Sequence, residues 1–143
     1  MIWFREYSLK EINAFSKKTL LSHLNIIFTE ITETSLTASM PVDERTRQPA
    51  GILHGGASLA LAESVASVAS YLSLNPKEYY TVGLEINANH IRSKTEGYVL
   101  GKAAPVHIGR STQVWNIDIT DEKGRLICKS RITMMVLKKT KNN

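Results

Sequence analysis

Apolar and polar residues alternate along most of the chain, and one long apolar stretch interrupts the alternation. Leu36, Ala38 and Met40 alternate with Thr37 and Ser39, and Trp115, Ile117 and Ile119 alternate with Asn116 and Asp118. A period of two places each set on one face of a strand. On this basis Asn25 to Ile31 and Ser35 to Val42 form a hairpin turning near Thr32-Glu33-Thr34. Tyr79 to Arg92, Gly97 to Ala104, Gln113 to Thr120 and Arg125 to Leu137 form four more strands. The last two join through Asp121-Glu122-Lys123-Gly124, whose glycine supplies the positive φ of a tight turn. Near the N-terminus, Ser8-Leu9-Lys10-Glu11 reads as a capping box opening a short helix through Lys18, with Thr19 to Leu24 as a further turn.

A different pattern occupies Gln48 to Tyr71. Leu59, Ala62, Ala66 and Ala69 recur at helical spacing, while Val65, Val68 and Leu72 spread apolar character around the circumference. That distribution predicts a long helix buried on most sides. Nine of the fourteen residues from Ala57 to Ser70 are Ala or Ser, so a wrapped sheet or a second copy of the helix can approach closely. Asn75-Pro76 ends the helix, because proline lacks an N–H and clashes with the preceding turn. The order of short helix, two strands, long helix and four strands predicts an α+β fold of two layers, an antiparallel sheet wrapped around a long central helix. At 143 residues the expectation is one domain spanning 1–143.

Composition narrows the setting. The one cysteine, Cys128, has no internal partner and is expected as a small buried strand residue in a reducing compartment. The opening MIWFREYSLKE lacks the apolar core of a signal peptide, and Glu63 and several serines interrupt the long apolar stretch. A cytoplasmic protein with no membrane association is the expectation. A net charge of +5 and a pI near 9.4 suit a phosphate-bearing partner. The cations are scattered, apart from the tail Lys138-Lys139-Thr140-Lys141, and are not interleaved with aromatics. That favours a phosphorylated small molecule over a nucleic acid. The last few residues are expected to be disordered.

Between Arg47 and Lys77 the one charged side chain is Glu63. A partly desolvated carboxylate is a stronger base and nucleophile. The helix start at His54-Gly55-Gly56 offers free N–H groups to a polarised carbonyl or an anion. Acyl transfer needs both, and the Gly55 N–H is placed to stabilise an oxyanion. A thioester suits the pair, since a thiolate leaves without a strong general acid. Gly55 and Glu63 are eight residues apart, roughly 12 Å along a helix, too far to meet on one carbonyl. A shared reaction therefore draws them from two chains, with two central helices antiparallel across a twofold axis. Ser67, one turn beyond Glu63, and the adjacent Ser64 stand beside the carboxylate, while Gln48 and His54 flank the helix entry. Each residue also has a plainer use: Glu63 in an ion pair with a strand Arg, His54 as a helix cap, the glycines as a turn, Ser64 and Ser67 as packing.

Taken together, Gln48, His54-Gly55-Gly56, Glu63, Ser64 and Ser67 resemble the active-site segment of the hotdog-fold thioesterases, in the branch similar to 4-hydroxybenzoyl-CoA thioesterase with a helix carboxylate. MPVDERTRQP at Met40 to Pro49, LHGGAS at Leu53 to Ser58, VGLEINANH at Val82 to His90, QVW at Gln113 to Trp115 and DEKGRL at Asp121 to Leu126 extend the likeness over essentially the whole chain. In these segments the chain resembles the thioesterases that hydrolyse 1,4-dihydroxy-2-naphthoyl-CoA in menaquinone synthesis. The resemblance implies that Glu63 is base or nucleophile, that the Gly55 N–H polarises the carbonyl, that Gln48 and His54 assist there, and that Ser64 and Ser67 line the site. It assigns the CoA portion and acyl group to Gly83, to His90, Ile91, Arg92 and Ser93, and to His107, Ile108, Gly109, Arg110, Ser111 and Thr112. It further implies a homotetramer of two dimers, no metal and no bound cofactor. A broad-range thioesterase acting on acyl-CoA or a loaded carrier protein shares all these site residues. A hotdog hydratase and a non-catalytic acyl-CoA binding protein are more distant alternatives.

Overall fold

The structure, a computed structural model, describes residues 1–140. Lys141 of the basic tail and the rest of the segment expected to be disordered lie outside the described residues. Helix α1 (Leu9–Ala14) opens with the expected capping box, the Ser8 hydroxyl accepting from Glu11 N–H and the Glu11 carboxylate accepting from Ser8 N–H. It stops four residues short of Lys18, which takes a positive φ of 58°. Asn13 then ties α1 to β1 (Ile27–Ile31), accepting from Phe28 N–H and donating to Phe28 C=O, both at 2.9 Å. A four-residue helix, α2 (Leu20–His23), lies between them.

Strands β1, β2 (Leu36–Pro41), β4 (Tyr98–Ile108), β5 (Thr112–Thr120), β6 (Leu126–Lys138) and β3 (Tyr79–His90) form one antiparallel sheet in that spatial order. The central helix α3 (Gly55–Leu72) intervenes between β2 and β3, and its connection carries the chain to the far edge of the sheet. Strand β5 shows a strict alternation of buried and half-buried positions, with Trp115, Ile117 and Ile119 turned inward. They meet Leu61, Ala62, Val65, Ala66, Ala69 and Leu72 of the helix in one core cluster. Each large side chain buried there contributes roughly 1.5–3 kcal/mol.

Two expectations are corrected. The sheet covers only one face of α3, so the helix is not buried on most sides within its own chain. On the other side Ala57, Ala60, Ser64, Ser67 and Val68 are half-buried, and Glu63 stands exposed there. Strand β4 also runs on past Ala104 through Ile108, because a bulge between Pro105 and His107 absorbs the proline without ending the ladder. His107 and Ile108 are therefore strand residues.

A polar network crosses the core where α3 ends. Gln113, fully buried, accepts from Trp115 Nε1 at 2.9 Å and donates to Ser73 Oγ at 3.0 Å, and that hydroxyl donates to Ser70 C=O at 2.7 Å. Gln113→Leu keeps the volume but orphans the buried Trp115 N–H, at a cost of about 1–3 kcal/mol. The expected result is a fall in melting temperature of roughly 2–10 °C, read by thermal unfolding; an unchanged Tm would show that the network contributes nothing.

Candidate active site

The loop before α3 is shaped by its own hydrogen bonds. Gln48 N–H donates to Ile52 C=O at 2.8 Å, Gly51 N–H returns to Gln48 C=O at 2.9 Å, and Gly51 takes the positive φ of 83° that this turn requires. The Gln48 side-chain oxygen accepts from Ala50 N–H, which fixes the amide and leaves its NH₂ group without a partner among the described residues. His54 is the N-cap of α3, with Nδ1 accepting from Gly56 N–H at 2.8 Å. The plain reading of His54 as a cap is thus correct, and the same bond puts the imidazole proton on Nε2, where it is free to donate. Cys128 is buried in β6 as expected, and burial pushes its thiol pKa up.

At the far end of β3 the His90 ring closes over the start of α3. Its Nε2 lies 2.7 Å from where a Cβ on Gly55 would stand. The chain then turns through Ile91 and Arg92, whose N–H groups both donate to Ile127 C=O. Gln48, Gly55, Ser58, His90, Arg92 and Ser93 line one cleft of about 310 Å³. The structure therefore brings together the helix-entry residues and the first proposed CoA segment. Ser58, Leu53 and Ile127 also border the cleft. Ser58, one turn after Gly55, was legible from helical spacing; Ile127 was not.

Glu63 occupies a separate place on the same flank. Its Oε1 lies 2.8 Å from where a Cβ on Gly83 would stand, so the bare glycine provides the space the carboxylate fills. Gly83 therefore stands beside Glu63 and apart from the residues that line the cleft at His90. Among the described residues Glu63 joins no ion pair, so the reading of a carboxylate paired with a strand Arg fails. The expected desolvation is not supplied by its own chain either, since the open helix face leaves Glu63 exposed. Ser67 opens onto a groove of about 320 Å³ lined by Phe15, Val68, Tyr71, Tyr80 and Thr81, with Phe15 edge-on to Tyr71 at 5.8 Å. Ser64 is half-buried and lines neither space.

The second proposed CoA segment is not in the cleft. His107 to Thr112 lie at the end of β4 and the turn into β5, where Ile108, Gly109 and Arg110 border a groove with Leu74, Tyr79 and Val136. Tyr79 and His90 are the two ends of β3, so this turn and the cleft are at opposite ends of the sheet within one chain. Arg92 and Arg110 are both exposed and outside the ion pairs of the described residues. No cluster of three His, Cys, Asp or Glu side chains among the described residues is placed to hold a metal ion, and no helix among them is long and apolar enough to cross a membrane.

Chemically, the flank offers a helix N-terminus whose Gly55 N–H has no hydrogen-bond partner among the described residues, a carboxylate outside their ion pairs and a groove with an aromatic lining. The Thioesterase superfamily model matches residues 50–128, which include both Gly55 and Glu63. A 1,4-dihydroxy-2-naphthoyl-CoA hydrolase of Escherichia coli is 53% identical, over 96% of this chain and 100% of that one. A proofreading thioesterase, EntH, of Cronobacter sakazakii is 47% identical, over 96% of this chain and 99% of that one. The crystal structure of a mutant thioesterase, PA1618, from Pseudomonas aeruginosa superposes with a TM-score of 0.95 at 45% identity, covering 97% of this chain and 100% of that one. With its six-stranded antiparallel sheet laid over one long helix, the chain belongs to the thioesterase superfamily and is a thioester hydrolase of hotdog fold.

Proposed function

We propose that the chain hydrolyses the thioester of an aromatic acyl-CoA, 1,4-dihydroxy-2-naphthoyl-CoA in menaquinone synthesis, at a site shared between two chains. The observation that carries the shared site is a matched pair of contacts. Gly55 meets His90 and Glu63 meets Gly83, so α3 and β3 run antiparallel along one open flank. A twofold axis that sets Gly55 of one helix opposite Glu63 of another also sets His90 of one strand opposite Gly83 of the other. One axis therefore satisfies both elements. Strand β3 is the edge of the sheet, with Tyr80, Val82 and Leu84 exposed along it, as an interface between copies requires.

In this site the Gly55 N–H and the positive end of α3 hold the carbonyl oxygen as it becomes an oxyanion. Gln48 and His54 stand close enough to the helix entry to donate to the same oxygen. Glu63 of the other chain acts on the opposite side as base or nucleophile, with its carboxylate desolvated once the two helices close together. As base it takes a proton from the water that adds to the carbonyl carbon; as nucleophile it bonds to that carbon itself and water then cleaves the resulting anhydride. In either case the C–S bond breaks, CoA leaves as thiolate and the acyl group leaves as the carboxylic acid. Ser64 and Ser67 stand beside the carboxylate, and the aromatic groove at Ser67 receives the acyl ring. Arg92 and Ser93 hold phosphate or nucleotide groups at the cleft, and His107 to Thr112 contribute from another copy in a tetramer of two dimers. The chemistry calls on no metal or bound cofactor, and a cytoplasmic setting supplies CoA esters.

A substrate panel tests the reading. Specificity constants for 1,4-dihydroxy-2-naphthoyl-CoA, benzoyl-CoA, a medium-chain acyl-CoA and an aryl-loaded carrier protein, read by released thiol, should rank the naphthoyl ester first. Equal rates across the panel, or a preference for the carrier protein, would favour a proofreading role, the second reading that the likeness to EntH supports.

A further inference from the structure

The segment that carries Arg92 and Ser93 has no helix or strand of its own. Residues 91–97 run from the end of β3 to the start of β4, and their order comes from the groups that grip them. Lys94 C=O accepts from Leu53 N–H at 2.7 Å, Thr95 C=O from Arg47 Nε at 3.1 Å, and Gly97 C=O from Val42 N–H at 2.8 Å. These bonds tie the segment to the loop that carries Gln48 and His54. Ile127 C=O holds Ile91 and Arg92, and a further tie comes from Glu122, twenty-eight residues from Lys94 in sequence, in the turn between β5 and β6. Its Oε2 is 2.6 Å from Lys94 Nζ and its Oε1 accepts from Tyr98 N–H at 3.0 Å.

Three observations set this tie apart from an ordinary surface pair. Lys94 is sheltered, its side chain only 15% exposed. The Lys94 ammonium first, then the Tyr98 N–H, hold the Glu122 carboxyl down from 4.5 to about 2, so the tie stays charged through mild acid. A Cβ on Gly97, at φ 77°, would collide with the Glu122 carboxylate, so the glycine keeps the approach open. The turn itself does not need Glu122. Asp121 closes it alone, its Oδ1 accepting from Lys123 and Arg125 N–H at 2.9 Å each and its Oδ2 pairing with Arg125 Nε at 2.7 Å.

We propose that Glu122 is a positioning residue for substrate: through Lys94 and Tyr98 it holds segment 91–97, and with it Arg92 and Ser93, at the width that a CoA thioester occupies. This rests on the reading that Arg92 and Ser93 contact the CoA portion. The tie acts on the nucleotide end of the substrate and not on the reacting carbonyl, which separates it from a residue that merely stabilises the fold.

The test compares benzoyl-CoA with the benzoyl thioester of N-acetylcysteamine, which lacks the nucleotide. Glu122→Gln preserves size and an acceptor for Tyr98 N–H, and Lys94→Met removes the other partner. Each is expected to raise KM for benzoyl-CoA about 5- to 10-fold, as a coupling of this size would. In each, kcat and the specificity constant for the truncated thioester stay within about 2-fold, and the double variant is no worse than the poorer single one. An unchanged KM for benzoyl-CoA, even with a lowered melting temperature, would overturn the proposal, as would equal losses on both thioesters. A wild-type enzyme that released no thiol from any CoA ester would instead sink the CoA reading beneath it.

Discussion

Glu63→Ala lowers kcat by about 10³-fold, within the range set by loss of a positioned base or nucleophile, while the fold is unaffected. The two halves of this expectation have separate origins. Glu63 is exposed and unpaired among the described residues, and Ala is the best helix former, so the stability change stays within about 0.5 kcal/mol. Activity falls because no other carboxylate on α3 can replace it; Glu63 is the only acidic residue between Gly55 and Leu72. The shared site adds a stronger form of the test. Gly55→Val drives a side chain into His90, whose Nε2 stands 2.7 Å from the Cβ position, and removes the close approach of the carbonyl. Mixing equal amounts of the two inactive variants after dissociation yields dimers half of which are mixed, each with one intact site, so about a quarter of wild-type activity returns. Thiol release that stays at the level of the single variants, in mixtures with proven exchange, would place both residues in one chain's site or neither.

How much of this was legible in the sequence depends on whether a feature is local. The capping box at Ser8, the start of α3 at His54 and the alternation of Trp115, Ile117 and Ile119 are set by residues within a turn of one another, and all are found where the pattern put them. The end of α1 was overrun because Phe15 to Lys18 lack a breaker that a sequence reader can see. The exposure of Glu63 was missed for a different reason. A ring of apolar residues reports that a helix will be covered, and not whether the cover comes from its own sheet or from another copy. The separation of His90 from His107 was the least legible, since it depends on β3 pairing with β6 at the far edge, a non-sequential neighbour. The lining of the Ser67 groove by Phe15 likewise joins two residues more than fifty positions apart, and no periodicity connects them.

Gly83 provides the sharpest link between backbone and chemistry. Its position does not require a positive φ, and in a strand Ala is ordinarily favoured over Gly by roughly 0.5–1 kcal/mol. The only close neighbour a Cβ would meet is Glu63 Oε1 at 2.8 Å, with Ile132 Cδ1 at an ordinary 3.9 Å. The carboxylate is the free end of a flexible side chain, so it swings away at little cost to the fold. Gly83→Ala is therefore expected to leave the melting temperature unchanged or slightly higher but to move the Glu63 carboxylate oxygen by about 1 Å, a displacement that, with Glu63 in the proposed role, costs about 10²-fold in kcat. If Gly83 acts through Glu63, the loss belongs to the pair. In a Glu63→Ala background the same substitution has no carboxylate to displace, and kcat should fall no further. Steady-state kinetics on the two single variants and the double variant measures this directly. An equal loss in both backgrounds would mean that Gly83 is needed by the strand edge or by the substrate itself, and that the cradle beneath Glu63 has no catalytic meaning.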